Sequence, residues 1–169
     1  MFFCIIFIES EDIMKELIVY FSATNNTRRI AELIKEVTSA DIFEIEPVNK
    51  YTDEDIDWES PNSRINIEIK DPSYRCPIKN KVENFDLYDV IYIGFPVWWY
   101  TCPSAVKTFL ESYNFKNKKV IVFCTSGSTL GNDVYDKLKD DYSFIKKVTR
   151  LSVNSTKEQI EKWISEEKN

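Results

Sequence analysis

Leu17-Ile18-Val19-Tyr20-Phe21-Ser22-Ala23-Thr24-Asn25-Asn26-Thr27 carries the change of pattern that decides the fold. Its first five residues form a short, continuous apolar run of strand formers, the signature of a strand buried on both faces. From Thr27 onward the period changes. Ile30, Ala31, Leu33, Ile34 and Val37 fall on one face of a helix. Between strand and helix lie small hydroxyl and amide residues. Such a loop leaves backbone N–H groups free at a helix N-terminus, where the macrodipole favours negative charge. The hydroxyls of Ser22, Thr24 and Thr27 and the amides of Asn25 and Asn26 add donors. A phosphate monoester fits this loop. The same residue types are also ordinary caps of a βα turn, so the loop alone decides little.

Working outward, the pattern repeats. Asp41–Glu46 alternates apolar and charged residues, as an edge strand with one wetter face would. Val90–Phe95 and Val120–Cys124 are further buried strands, and Ile145–Val153 holds a last one. Helices are expected from Pro103, with Val106, Phe109, Leu110 and Tyr113 on one face, and after Gly131, with Val134, Tyr135 and Leu138. Ser155-Thr156-Lys157-Glu158 reads as the capping box of a final helix with Ile160, Trp163 and Ile164 inward. Residues 47–85 are rich in Pro, Asn, Asp and Ser. They suggest only a short helix near 52–60 and a brief alternating run, Ile65-Asn66-Ile67-Glu68-Ile69. So long a loop is usually functional or mobile. Alternating strands and helices imply right-handed βαβ crossovers, a parallel sheet, and a ligand at the carboxyl ends of its strands.

That rule selects three loops: 22–27, 96–103 and 125–131. The chain has three glycines, Gly94, Gly127 and Gly131, all at or beside these loops. Glycine in a glycine-poor chain marks a tight turn or a close approach to a ligand. The middle loop, Pro96-Val97-Trp98-Trp99-Tyr100-Thr101-Cys102-Pro103, suits a flat aromatic ligand. The third, Thr125-Ser126-Gly127-Ser128-Thr129-Leu130-Gly131, offers donors to a heteroaromatic edge. A phosphate with a flat ring system describes flavin mononucleotide (FMN). The expected binding residues are Ser22, Thr24, Asn25, Asn26 and Thr27; Pro96, Val97, Trp98, Trp99 and Tyr100; and Thr125, Ser126, Gly127, Ser128 and Gly131. No catalytic side chain and no metal ligand set is expected.

Composition narrows the alternatives. The chain has 169 residues, enough for one domain with a sizeable core, and no histidine. That removes His-based zinc sites and His-activated nucleophiles. Four cysteines without a C-x-x-C pair read as reduced thiols of a cytosolic protein. The apolar N-terminus lacks a basic region and a cleavage site and is too short to span a bilayer. Met14 precedes the first clear strand, so residues 1–14 are expected to be an extension and 15–169 the domain. The net charge of −6 is concentrated: residues 41–59 hold eight acids against the single base Lys50. With no basic stripe, a nucleic-acid partner is not expected.

The motifs Phe21-Ser22-Ala23-Thr24-Asn25-Asn26-Thr27, Gly94-Phe95-Pro96-Val97-Trp98-Trp99 and Cys124-Thr125-Ser126-Gly127 resemble those of the flavodoxin family over roughly residues 15–165. The likeness is to small bacterial and archaeal members with S-x-T-x-N-T and G-F-P-x-W-W loops. Asn25 stands where the family usually has glycine, and Ser128-Thr129 replace a more usual glycine. The resemblance implies an α/β doubly wound sheet of five parallel strands in order 2-1-3-4-5, with helices on both faces. It also implies an FMN-binding electron carrier between redox partners. The acidic segment 41–59 follows the second strand, whose carboxyl end lies on the same edge of the sheet as the ligand loops, and its charge makes it the expected docking surface for a basic partner. An FMN-dependent NAD(P)H oxidoreductase acting on quinones or flavins is the alternative. Flavodoxins commonly turn a backbone carbonyl toward the ring in the loop beside it. Loop 96–103 has no glycine, so that turn carries a penalty at positive φ, which favours two-electron behaviour.

Other ligands of such loops fit poorly. A nucleotide-hydrolase loop needs glycines and a lysine that 22–27 lacks. Ser22 and Arg28 echo the C-x5-R loop of a tyrosine phosphatase, but serine holds the nucleophile position with no histidine to activate it. A receiver domain would need acids where Phe21-Ser22 and Phe95-Pro96 stand.

Overall fold

In the computed structural model, residues 14–169 are described; the expected N-terminal extension lies almost wholly outside them. Five strands form one sheet: β1 (Glu16–Tyr20), β2 (Asp41–Glu44), β3 (Val90–Pro96), β4 (Lys119–Thr125) and β5 (Val148–Arg150). Their order is β2-β1-β3-β4-β5 and every pairing is parallel. The helices are α1 (Asn26–Thr38), α2 (Arg64–Glu68), α3 (Ser104–Ser112), α4 (Gly131–Leu138) and α5 (Lys157–Lys168).

The period-2 geometry of strands sorts the core into two layers. Leu17, Val19, Ile91, Ile93, Phe95, Val122 and Cys124 face one side, against Ala105, Val106 and Phe109 of α3 and Val134 and Leu138 of α4. Ile18, Tyr20, Val90, Tyr92, Ile121 and Phe123 face the other, against Ile30, Ala31 and Ile34 of α1 and Ile160, Trp163 and Ile164 of α5. The central strands are buried from both sides, which is why their sequences read as unbroken apolar runs. The segment between β2 and β3 joins the first layer through Ile65, Cys76, Phe85 and Tyr88.

Four details depart from the sequence reading. Residues 52–60 form turns, not a helix, while the alternating run 65–69 lies largely in α2. Ile69 N–H donates to Ile65 C=O in a helical turn that carries Ile67 to another side, and of the three only Ile65 is buried. The last strand shrinks to Val148–Arg150. The cap of α5 is Thr156 rather than Ser155: Gln159 N–H donates to Thr156 Oγ1 and Thr156 N–H to Gln159 Oε1 at 2.9 Å. Finally, no glycine has positive φ. A Cβ on Gly94 would lie 2.1 Å from the Phe123 ring, and one on Gly131 would lie 2.0 Å from the Val148 carbonyl oxygen. These two glycines make room for strand and helix packing, and neither supplies a left-handed turn.

Candidate functional site

The three selected loops converge at the carboxyl ends of β1, β3 and β4. Thr125, the last residue of β4, is 3% exposed and touches both of the others. Its hydroxyl lies 2.8 Å from that of buried Thr27, and its carbonyl accepts the Val97 N–H at 2.9 Å. One residue thus pins all three segments.

The first loop holds its shape through backbone geometry. Asn25 sits left-handed at φ 63°, immediately before α1. Asparagine tolerates that conformation better than most residues, which explains how the loop dispenses with glycine. Ser22 Oγ accepts the Arg28 N–H at 3.2 Å. The Asn25 side chain does not cap the helix, and the first turn of α1 contains no acid. The positive end of the helix is therefore left for an outside anion, with Thr24, Asn25 and Asn26 exposed around it. Arg28 turns away to the edge strand, where its Nη2 donates to Glu44 Oε2 at 2.5 Å. That bond raises the guanidinium pKa, keeping the charge fixed. An arginine held this way does not cradle a phosphate as a phosphatase loop would.

The aromatic loop contains an unexpected turn. Trp98 and Thr101 exchange both backbone hydrogen bonds at 3.0 Å, across Trp99 at φ 50° and Tyr100 at φ 64°. Two consecutive left-handed residues make a tight turn usually built from Asn-Gly. Here two bulky aromatics occupy it, a strained arrangement of the kind that clusters at ligand sites. Positive φ in this glycine-free loop is already part of the fold, at Trp99 and Tyr100. The three aromatics also divide. Trp99 and Tyr100 are 43% and 55% exposed. Trp98 turns inward and meets Phe21 edge-on at 5.5 Å and Tyr51 at 5.0 Å.

The third loop closes on itself. Ser126 Oγ donates to Thr129 C=O at 2.6 Å, and Arg150 Nη2 donates to Gly127 C=O at 2.8 Å. Ser128 is exposed, and Gly131, under Val148, opens α4. Of the expected residues, Thr27, Thr125 and Gly131 are buried and act as supports, whereas Thr24, Asn25, Asn26, Trp99, Tyr100, Gly127 and Ser128 are exposed. Ser22, Pro96, Val97, Trp98 and Ser126 lie between these extremes.

Two cavities flank the site. One, of about 210 Å³, lies between the first loop and the edge strand, lined by Phe21, Ser22, Asn25, Arg28, Glu44 and Tyr51 among others. The other, of about 90 Å³, lies between α2 and the aromatic loop and includes Ile65, Glu68, Trp98, Trp99 and Lys107. Tyr51 and Glu68 are not among the site residues expected from the sequence. No motif marks them, since their contacts to the site exist only once the chain between β2 and β3 is folded back. The described thiols are not nucleophiles: burial raises Cys76 and pushes Cys102 and Cys124 up to about 12. Among the described residues no helix is long and apolar enough to cross a membrane.

Comparison with known proteins converges with this geometry. The sequence model of a family described as flavodoxin matches residues 15–167. A crystal structure of a protein assigned as a flavoprotein from Bacteroides eggerthii DSM 20697 is 36% identical, with a TM-score of 0.86, covering 92% of this chain and 98% of that one. A flavoprotein from Lactobacillus acidophilus NCFM, solved in complex with FMN, shares the fold at 23% identity and a TM-score of 0.61, covering 82% and 91% of the two chains. The flavodoxin-like domain-containing protein BilS of Clostridioides difficile (strain CD3) is 28% identical over 116 residues, or 69% of this chain. The match spans about half, 49%, of that relative's length.

Proposed function

We propose, since this chain belongs to the flavodoxin family, that it is an FMN-binding electron carrier between redox partner proteins. The observation that carries the reading is the meeting of three loops at Thr125: a helix N-terminus with no acid in its first turn, an aromatic loop and a polar loop, held together by the Thr27 hydroxyl and the Val97 N–H. The donor set fits FMN. The backbone at the start of α1, with Thr24, Asn25 and Asn26, holds the phosphate, and the exposed faces of Trp99 and Tyr100 suit a flat ring. The FMN complex of the Lactobacillus acidophilus relative supports the choice of ligand. When bound, FMN supplies the electron chemistry, accepting and returning one or two electrons. The residues of this chain bind it, orient it and shape its surroundings.

The carrier reading is preferred to the oxidoreductase one for a structural reason. A preference for two electrons would follow from a costly turn to positive φ in loop 96–103, and Trp99 and Tyr100 already stand there. The partner surface is the acidic segment 41–59. Asp53, Glu54, Asp57 and Glu59 are exposed on it, and Tyr51 within it packs on Trp98.

Titrating the purified protein with FMN and with riboflavin tests the assignment. FMN should bind at least about tenfold more tightly, as loss of charge-assisted hydrogen bonds worth about 1.5–3 kcal/mol requires. Equal affinities would refute the phosphate site. Adding NADH or NADPH to the complex separates the two functions, because rapid flavin bleaching without a partner protein marks the oxidoreductase.

A further inference from the structure

Between β2 and β3 the chain builds a closed polar cluster behind the aromatic loop. The Arg64 guanidinium is its centre. Nε donates to Glu68 Oε1 at 2.7 Å, Nη1 to Asn49 C=O at 2.8 Å, and Nη2 lies 3.1 Å from Cys76 Sγ. Its plane covers the Tyr51 ring, 3.8 Å from the centroid. Tyr51 OH donates to the second Glu68 oxygen at 2.8 Å, so both carboxylate oxygens are used. Burial, then this bond, pushes the Tyr51 hydroxyl far above its usual pKa, so it remains a donor at neutral pH. The Arg64 and Glu68 side chains are only 20% and 10% exposed.

The cluster reaches the site at two points. Tyr51 meets Trp98 edge-on at 5.0 Å, and both meet Phe21, at 5.7 and 5.5 Å, so three rings from three segments pack mutually. On the other side Cys76 N–H donates to Ser104 Oγ at 2.7 Å, and its carbonyl accepts from Thr108 Oγ1 at 2.8 Å. Ser104 and Thr108 belong to α3, directly after the aromatic loop. The loop is thus bracketed at its inward aromatic and at its exit. A lysine could neither stack on Tyr51 nor serve three acceptors in one plane.

We propose that Arg64 is a positioning residue for the flavin site, fixing Trp98 through the face of Tyr51. The consequence for FMN rests on the function proposed above; the positioning of Trp98 does not.

The test uses Arg64→Lys, Trp98→Phe and their combination in the full chain. Arg75→Lys, which alters the ion pair with Glu111 instead, controls for general loosening. In ligand-free protein, the near-ultraviolet circular dichroism that Trp98→Phe removes should fall by at least about half in Arg64→Lys and stay in Arg75→Lys. With FMN, Arg64→Lys should weaken binding about tenfold. The double variant should bind at least about fivefold more tightly than the product of the single losses requires, because both break one device. A full Trp98 signal in Arg64→Lys, or strictly multiplicative affinity losses, overturns the proposal. If the wild-type protein fails to bind FMN, the functional reading falls, and the dichroism alone decides the role of Arg64.

Discussion

Thr27 shows how burial changes the meaning of a motif residue. In the sequence it is one of three hydroxyls facing a phosphate; in the fold it is 1% exposed and bonded to Thr125. Thr24, three residues earlier in the motif, is exposed. The two should therefore respond differently to substitution. Thr27→Val strands the buried Thr125 hydroxyl and should destabilise the fold by about 1–3 kcal/mol, with Thr125→Val in the same chain recovering much of the loss. Thr24→Ala should leave stability within about 0.5 kcal/mol while weakening FMN relative to riboflavin. Urea midpoints and flavin titrations on the three variants separate these outcomes. Equal stability losses for Thr24→Ala and Thr27→Val would mean that the Thr27–Thr125 contact contributes nothing. Asn25, Trp99 and Tyr100 teach the complementary lesson. The sequence allowed a left-handed Asn25 because its side chain permits it. It could not reveal left-handed Trp99 and Tyr100, since nothing local favours them and only the bonds of Trp98 to Thr101 hold the turn closed.

At the scale of elements, glycines define where strands and helices approach most closely. Gly94 gives its place on the sheet to Phe123, its neighbour across β3 and β4. Gly131 lets the first turn of α4 rest on the backbone of β5. Gly94→Ala and Gly131→Ala should each cost about 1–3 kcal/mol by overpacking, with Gly131 the less forgiving because its neighbour is main chain. Gly127→Ala, into open space, should change stability by no more than about 0.5 kcal/mol. Denaturant unfolding of the three variants checks the ranking, and a Gly127→Ala loss as large as the others would contradict it. The elements that sequence revealed are those whose periodicity comes from burial, β1, β3, β4, α1, α3, α4 and α5, together with the alternating edge strand β2. Where burial is lopsided, the pattern misleads. Ile65-Asn66-Ile67-Glu68-Ile69 alternates like a strand, yet its structure is set by an Arg64–Glu68 pair one helical turn apart and by Asn66 Nδ2 donating to the carbonyls of Trp58 and Ser60. The candidate site was legible as three loops because each follows a recognisable strand. Its support by Tyr51 and Arg64 was not, because long-range contacts leave no local spacing to read.

The molecule as a whole separates its charge from its chemistry. Segment 41–59 carries all the excess acidity, and the rest of the chain is close to neutral. Replacing Asp53, Glu54, Asp55 and Asp57 by their amides should slow electron transfer to a basic partner and flatten its salt dependence, while FMN affinity holds. Stopped-flow rates across an ionic-strength series check this; an unchanged salt slope would remove the segment from docking. The absence of histidine has a global effect too. Glu111, bonded by Arg75, is held below its ordinary 4.5, so its contribution is present above that value and lost as pH falls through the folded one. Burial raises Tyr51, Tyr92 and Tyr142, and burial with a bond to Asp41 pushes Tyr88 up to about 12. Their contributions are complete below the ordinary phenol value of 10 and decline as pH rises above it. Thermal unfolding should therefore be flat between about pH 6 and 8 and weaken on either side, the buried thiols of Cys76, Cys102 and Cys124 losing their contribution first on the alkaline side; a step near neutrality would contradict the assignment. The chain from 47 to 85, so poor in regular structure, is stitched down by Arg64, Asn66 and Cys76, and by Asn80, whose Nδ2 donates to Glu44 C=O at 2.7 Å. To trypsin, which must thread an extended backbone through its cleft, the bonds after Arg64 and Lys79 are closed until those ties release. Digestion there follows the opening of the fold, and what reads on paper as a linker behaves as a latch.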